Sequence, residues 1–220
     1  MAVLGKLLSL NIAKAVSVPY GSKVVETGIF KTSSGKPLRL TRTGLVGDQQ
    51  ADTVNHGGPD KAVCVYSADH FAYWEEQWSK PVEAGAFGEN FTISGLTEEN
   101  IHIGDIIRIG EAVVQVSQPR QPCFKLGVKH QIPELSLQVQ QSGYTGYYFR
   151  VLQEGIVQEG DELIVEKRHE KGISIAEANV LMYENKEDRA GISRLLSVQE
   201  LADSWQEHFS KRLDKLSAQE

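Results

Sequence analysis

The sequence predicts an α+β protein: a mainly β body carrying a few helices over residues 1–170, then a three-helix piece over residues 171–220. Three observations point there. Short alternating runs rich in β-branched residues, such as Ala112-Val113-Val114-Gln115-Val116-Ser117, recur between Gly, Pro and Asn punctuation, as strands do. A Gly-Asp step followed by an alternating run occurs twice, at Gly104-Asp105 and Gly160-Asp161, which suits the sharp corners of a barrel or sandwich. Beyond Lys171 the pattern changes to capped helices with an apolar stripe.

Taken in order, residues 6–13 read as a strand and Tyr20-Gly21-Ser22-Lys23 as a turn. Residues 29–42 read as a hairpin around Ser33-Ser34-Gly35-Lys36. A polar, glycine-punctuated connection over residues 44–61 then leads to an apolar strand at residues 62–66; a connection that long is either mobile or functional. Ser67 caps a helix to Trp78, whose Phe71, Trp74 and Trp78 share one face and read as core. Gly88-Glu89-Asn90-Phe91-Thr92-Ile93 is a turn feeding a strand. A short helix opens at Pro133 and ends by Gly143, and residues 147–152 form another strand. In the tail, Ser174-Ile175-Ala176-Glu177 is a capping box and Asp188 caps a second helix. Ser197-Val198-Gln199-Glu200 reads as another capping box, followed by Val198, Leu201, Trp205, Phe209 and Leu213 at helical spacing.

Composition narrows the function. Of 220 residues, 40% are hydrophobic and 24% charged, an ordinary globular balance. A net charge of −6 provides no field for a nucleic-acid polymer or an anionic membrane. No apolar run is long enough to span a bilayer. Two cysteines, Cys64 and Cys123, make no disulfide framework and cannot hold an iron–sulfur cluster, which points to a reducing, cytoplasmic setting.

The stretch Gln118-Pro119-Arg120-Gln121-Pro122-Cys123-Phe124-Lys125 carries the chemistry. Its prolines stiffen a turn at a strand end. The thiol of Cys123 stands between the cations Arg120 and Lys125, which favour the thiolate, the form that attacks or binds a metal. The alternative is a buried cysteine acting as a small hydrophobe. Likewise, His56-Gly57-Gly58 either lets backbone amides approach an anion or is a plain surface turn.

Two motifs then coincide: Gly47-Asp48 with Asn55-His56-Gly57-Gly58-Pro59-Asp60-Lys61, and Pro119-Arg120-Gln121-Pro122-Cys123. Together with Gly88-Glu89-Asn90-Phe91 they resemble the MOSC domain, named for the carboxy-terminal domain of molybdenum-cofactor sulfurases. The terminal helices look like the extension of YiiM-type members, so the resemblance spans essentially the whole chain. It implies a β-barrel with helical modules around a cavity that holds the molybdenum cofactor, a molybdenum-bearing pterin. Cys123 would be the metal ligand, and the activity would be reduction of N-hydroxylated compounds, such as 6-N-hydroxylaminopurine, to amines. The cofactor phosphate needs local cations, for which Arg42, Lys61, Arg120, Lys125 and Lys129 are candidates, with Asn55, His56 and Asn90 as further contacts. His56 is the candidate proton donor. No flavin fingerprint is present, so electrons would come from a separate reductase partner. The chain would be a monomer or homodimer. Alternatives are a non-catalytic cofactor carrier, a persulfide carrier on Cys123, or a structural barrel with an inert cysteine.

Overall fold

The computed structural model describes residues 2–51 and 57–218. Its strands are β1 (Ala2–Ile12), β2 (Val16–Tyr20), β3 (Lys23–Thr27), β4 (Thr32–Ser33), β5 (Leu38–Thr41), β6 (Gly44–Leu45) and β7 (Val63–Ser67). They continue as β8 (Phe91–Ser94), β9 (Ile106–Ile109), β10 (Ala112–Pro119), β11 (Tyr147–Gln153), β12 (Gly155–Val157) and β13 (Glu162–Lys167).

Among the described residues, seven strands close a barrel in the order β13-β9-β10-β11-β7-β8-β1, with β1 returning onto β13 through Ala2↔Val165 and Lys6↔Glu162. Closure leaves no open edge in that ring. Neighbours are antiparallel except β7 and β8, which run parallel with Val65 beside Phe91. A parallel pair needs a crossover, and α1 (Phe71–Trp78) lies in it. The barrel interior is filled by side chains such as Leu7, Val65, Ile93, Val114, Val116 and Phe149, all 0% exposed.

A second apolar cluster lies outside the ring. Tyr66, Trp74, Phe87, Leu126, Leu135 and Val139 pack α1 against α2 (Lys125–His130) and α3 (Leu135–Ser142). Tyr66 stacks on Phe87 at 3.9 Å and accepts from Trp74 Nε1 at 2.6 Å. This cluster fixes α2, and with it the turn that carries Cys123.

The tail forms α4 (Ile175–Tyr183), α5 (Arg189–Leu196) and α6 (Asp203–Ser217). Their Ile192, Leu195, Trp205 and Phe209 belong to the same apolar cluster as the barrel interior. Ser174 Oγ accepts from Glu177 N at 3.0 Å and Asp188 Oδ1 from Gly191 N at 2.9 Å, as caps do. The start of α6 is tied to the barrel: Ala202 N donates to Ser117 O at 3.0 Å, and Asp203 N to Asp60 Oδ2 at 3.3 Å. No described helix is long and apolar enough to cross a membrane.

Two local expectations are corrected. The hairpin over residues 29–42 does not form. β4 pairs with β1 through Asn11↔Ser33, and β5, whose Leu38 and Leu40 are buried, pairs through Leu40 with the distant β12 on one side and the adjacent β6 on the other. The box at Ser197 does not open a helix. Ser197 Oγ instead donates to Arg194 O at 2.7 Å and ends α5, while α6 begins at Asp203. Val198 and Leu201 are buried there all the same.

Candidate functional site

The chain leaves β10 at Pro119, which pairs with Tyr147. Arg120 N donates to Gly146 O at 3.0 Å. The crossing requires glycine: Gly146 has φ 74°, and a Cβ there would lie 2.4 Å from the Val65 carbonyl oxygen. Residues 121–124 turn into α2, where Leu126 N donates to Cys123 O at 3.1 Å. Cys123 is half-buried on that turn.

A cleft of about 530 Å³ opens at this point. Arg120, Cys123 and Lys125 line it from the strand-to-helix turn. Cys64 of β7 and Tyr148 of β11, which are register partners, line it from the barrel. Lys31 and Asn90 also line it.

Arg120 is 6% exposed, and its Nη1 is buried with no hydrogen-bond partner among the described residues. Burial opposes its charge, and Cys64, Tyr148, Cys123 and Glu89 favour it only when ionised; the guanidinium keeps its proton near neutrality in either case. Burial also pushes the Cys64 thiol and the Tyr148 phenol up from their ordinary values. Both are therefore neutral near neutrality, and neither compensates the cation. A buried unpaired donor costs about 1–3 kcal/mol, and more when charged. Such a group is suited to an anion entering the cleft.

The rest of the wall is braced. Lys31 Nζ donates to both oxygens of Asp48 at 2.5 Å. Asp48 also accepts from Ala13 N at 2.9 Å and from Asn90 Nδ2 at 2.8 Å. Asn90 Nδ2 donates further to Asn11 O at 3.2 Å, and its Oδ1 accepts from Cys64 N at 3.2 Å. Glu89 accepts from Gly85 N at 2.6 Å, Phe87 N at 2.9 Å and Thr92 Oγ1 at 2.6 Å, which shapes the turn bearing Gly88. Gly28 passes so close to the chain that a Cβ would sit 2.2 Å from the Gln49 carbonyl oxygen.

The structure thus brings Cys123, Arg120, Lys125 and Asn90 to one cleft. The amide of Asn90 is largely engaged in bracing the wall. It does not bring Arg42 there: that guanidinium donates to Val151 O at 3.1 Å and Leu152 O at 3.2 Å, since the end of β11 offers carbonyls nearer than the cleft. Lys61 ends a short 3₁₀ turn, Pro59–Lys61, outside the cleft lining. Lys129 lines a neighbouring cleft instead. Asn55 and His56 lie outside the described residues. Sequence reasoning missed Lys31, Cys64 and Tyr148 as cleft residues. Each sits in or beside an alternating or apolar run and gives no local signal of facing a cavity.

Among the described residues, no three His, Cys, Asp or Glu side chains gather to hold a metal ion. A single thiolate would serve a metal that arrives already ligated.

The MOSC domain family model matches residues 52–164, and that of the YiiM-like, 3-alpha helix domain matches residues 173–216. The chain is 52% identical over 210 residues to an uncharacterised Bacillus subtilis (strain 168) protein, YflK, covering 96% of this chain and 95% of that one. It is 33% identical over 168 residues to a Gibberella moniliformis protein named Reductase, covering 74% of this chain and 30% of that one. The crystal structure of YiiM from Geobacillus stearothermophilus is similar at a TM-score of 0.82 and 41% identity, over 95% of this chain and 99% of that one.

Proposed function

Because the chain belongs to the MOSC-domain family and carries its YiiM-like three-helix domain, we propose that it is a molybdenum-cofactor-dependent reductase of N-hydroxylated compounds. The relative named Reductase supports the oxidoreductase side of this reading. The observation that carries it is the pairing, in one cleft, of the Cys123 thiol with the buried, unpartnered Nη1 of Arg120. That combination suits a ligand bearing both a soft metal and an anionic tail.

In this reading Cys123, as thiolate, is the protein's ligand to the metal. Arg120 and Lys125 receive the phosphate, and Lys31, already neutralised by Asp48, serves as wall rather than as counter-charge. The bound cofactor supplies the two-electron redox centre. The overall reaction, R–NHOH + 2e⁻ + 2H⁺ → R–NH₂ + H₂O, needs a proton delivered to the departing oxygen. The imidazole of His56 is the proposed donor, because it can hold and release a proton near neutrality. Asn55, beside it, is a proposed cofactor contact. The electrons come from a separate reductase protein.

The test is metal analysis together with reduction of 6-N-hydroxylaminopurine by a chemical electron donor. It uses protein made in cofactor-competent and cofactor-deficient cells, as wild type and Cys123→Ser. Wild type from competent cells should hold molybdenum and reduce the substrate; the other three preparations should do neither. Activity without molybdenum overturns the reading, and molybdenum without activity leaves a cofactor carrier. His56→Ala should keep the metal and lose the reduction.

A further inference from the structure

A second cleft, of about 730 Å³, opens beside the first, and Lys31 stands in the lining of both. Lys80, Lys129 and His130 also line it, while Glu83 is the one carboxylate among its described lining residues. The aromatic part of the wall is Trp78, at the end of α1, and Phe30, which is 38% exposed.

Among the described residues Lys80 and Lys129 form no ion pair, whereas Lys31 is paired with Asp48 and His130, lowered from its ordinary value, is neutral near neutrality. Lys129 Nζ donates to Gly85 O at 2.5 Å and Ile29 O at 3.1 Å, backbone carbonyls rather than a carboxylate. Lys80 lies over the Trp78 ring at 5.5 Å, and the His130 ring sits 4.7 Å from it, with Nε2 on Ala86 O at 2.7 Å. Crowding shows in their proton affinities. Burial lowers Lys129, Arg120 and Lys31 lower it further, and only Glu89, itself turned onto Gly85, Phe87 and Thr92, pulls the other way. Burial lowers His130, as do Lys129 and Lys80, against the bond to Ala86. Like charges gathered without an anion are a cost that an arriving anion relieves. The indole Nε1 of Trp78 is also buried, with no hydrogen-bond partner among the described residues.

We propose that this second cleft is a binding site for a phosphate monoester that carries a flat ring: the phosphate lies among Lys80, Lys129 and His130, and the ring against Phe30 and Trp78. A dianion answers several point charges from different elements, which a single carboxylate does less well. Such a phosphate belongs to a free nucleotide, since the cofactor's own phosphate is placed on Arg120 and Lys125 in the first cleft. The proposal does not rest on the reductase reading, because Cys123→Ser leaves this cleft intact.

The experiment is calorimetric titration of the full chain with adenosine 5′-monophosphate, adenosine and inorganic phosphate, using cofactor-free and cofactor-loaded protein. The monophosphate should bind one per chain, roughly tenfold or more tighter than adenosine. Lys80→Ala, an exposed position that leaves the fold alone, should weaken it roughly tenfold, as should Lys129→Met once circular dichroism shows it folded. Cys123→Ser and Arg120→Met should bind as wild type does. Binding to both protein forms supports a free-nucleotide site; binding only to cofactor-free protein overturns it, because the cofactor then fills this cleft. Equal affinity for adenosine and its monophosphate overturns the proposal. So does binding lost in Arg120→Met but kept in Lys80→Ala, which would put the phosphate in the first cleft.

Discussion

Lys31 donates to both carboxylate oxygens of Asp48 at 2.5 Å, and both side chains are only 7% exposed. This pair joins the segment before β4 to the Gly47-Asp48 motif, and Asn90 joins Asp48 in turn to the strand that bears Cys64. Residues far apart in sequence thereby become one wall of the cleft.

Asp48→Ala leaves a buried ammonium unpaired and also removes an acceptor from Asn90 and Ala13. The expected loss is about 3–5 kcal/mol of stability, read from the urea midpoint. Adding Lys31→Met should restore part of it. A loss below about 1 kcal/mol would mean that the pair behaves as a surface ion pair.

Arg120→Met should separate folding from ligand binding. Removing a buried, uncompensated charge leaves cofactor-free protein as stable as wild type or more so, because an apolar chain of similar length fills the space without the charge. The same variant, made in cofactor-competent cells, should lose most of its molybdenum. If it instead unfolds and keeps its metal content per folded chain, the guanidinium is structural.

The two thiols should differ in reactivity. Cys64 is 7% exposed and burial pushes its thiol up, so little of it is thiolate near neutrality. Cys123 is half-buried at the cleft. Cofactor-free wild type should show one fast and one slow alkylation by iodoacetamide, and Cys123→Ser only the slow one. Fast labelling of Cys64 would contradict its buried position on β7.

Lys129 gives a signed pH effect. Its folded-state value is lowered from 10.5 to about 8, chiefly by burial. Between those values the unfolded chain binds more protons than the folded one, so this residue makes stability rise with pH. Below about 8 both states are protonated and its contribution is flat. The stability difference between wild type and Lys129→Met should therefore shift in favour of wild type on going from pH 8 to pH 10.5. A difference that stays constant across that window would show that Lys129 is not depressed.

Local chemistry made much of the chain legible. Ser174 and Asp188 cap where short polar side chains before apolar periodicity say they should, because a cap needs only its own next three residues. Cys123, Arg120 and Lys125 reach one cleft for a similar reason: six residues of stiff turn cannot separate them far. By contrast, the hairpin expected over residues 29–42 gives way to pairings with β1 and β12, since a strand takes whichever partner covers its buried face and local turn residues do not name that partner.

By itself the sequence determined the α+β class, the capped tail helices and the grouping of thiol and cations around Cys123. Only the tertiary structure decided that Lys31, Cys64 and Tyr148 share that cleft, that Asp48 neutralises Lys31, and that Arg120 keeps a buried donor without a partner. Those relations depend on barrel closure, with β1 returning to β13 so that Ala2 lies beside Val165. Pairing over such a separation is set by the sum of buried contacts, and no window of neighbouring residues contains it.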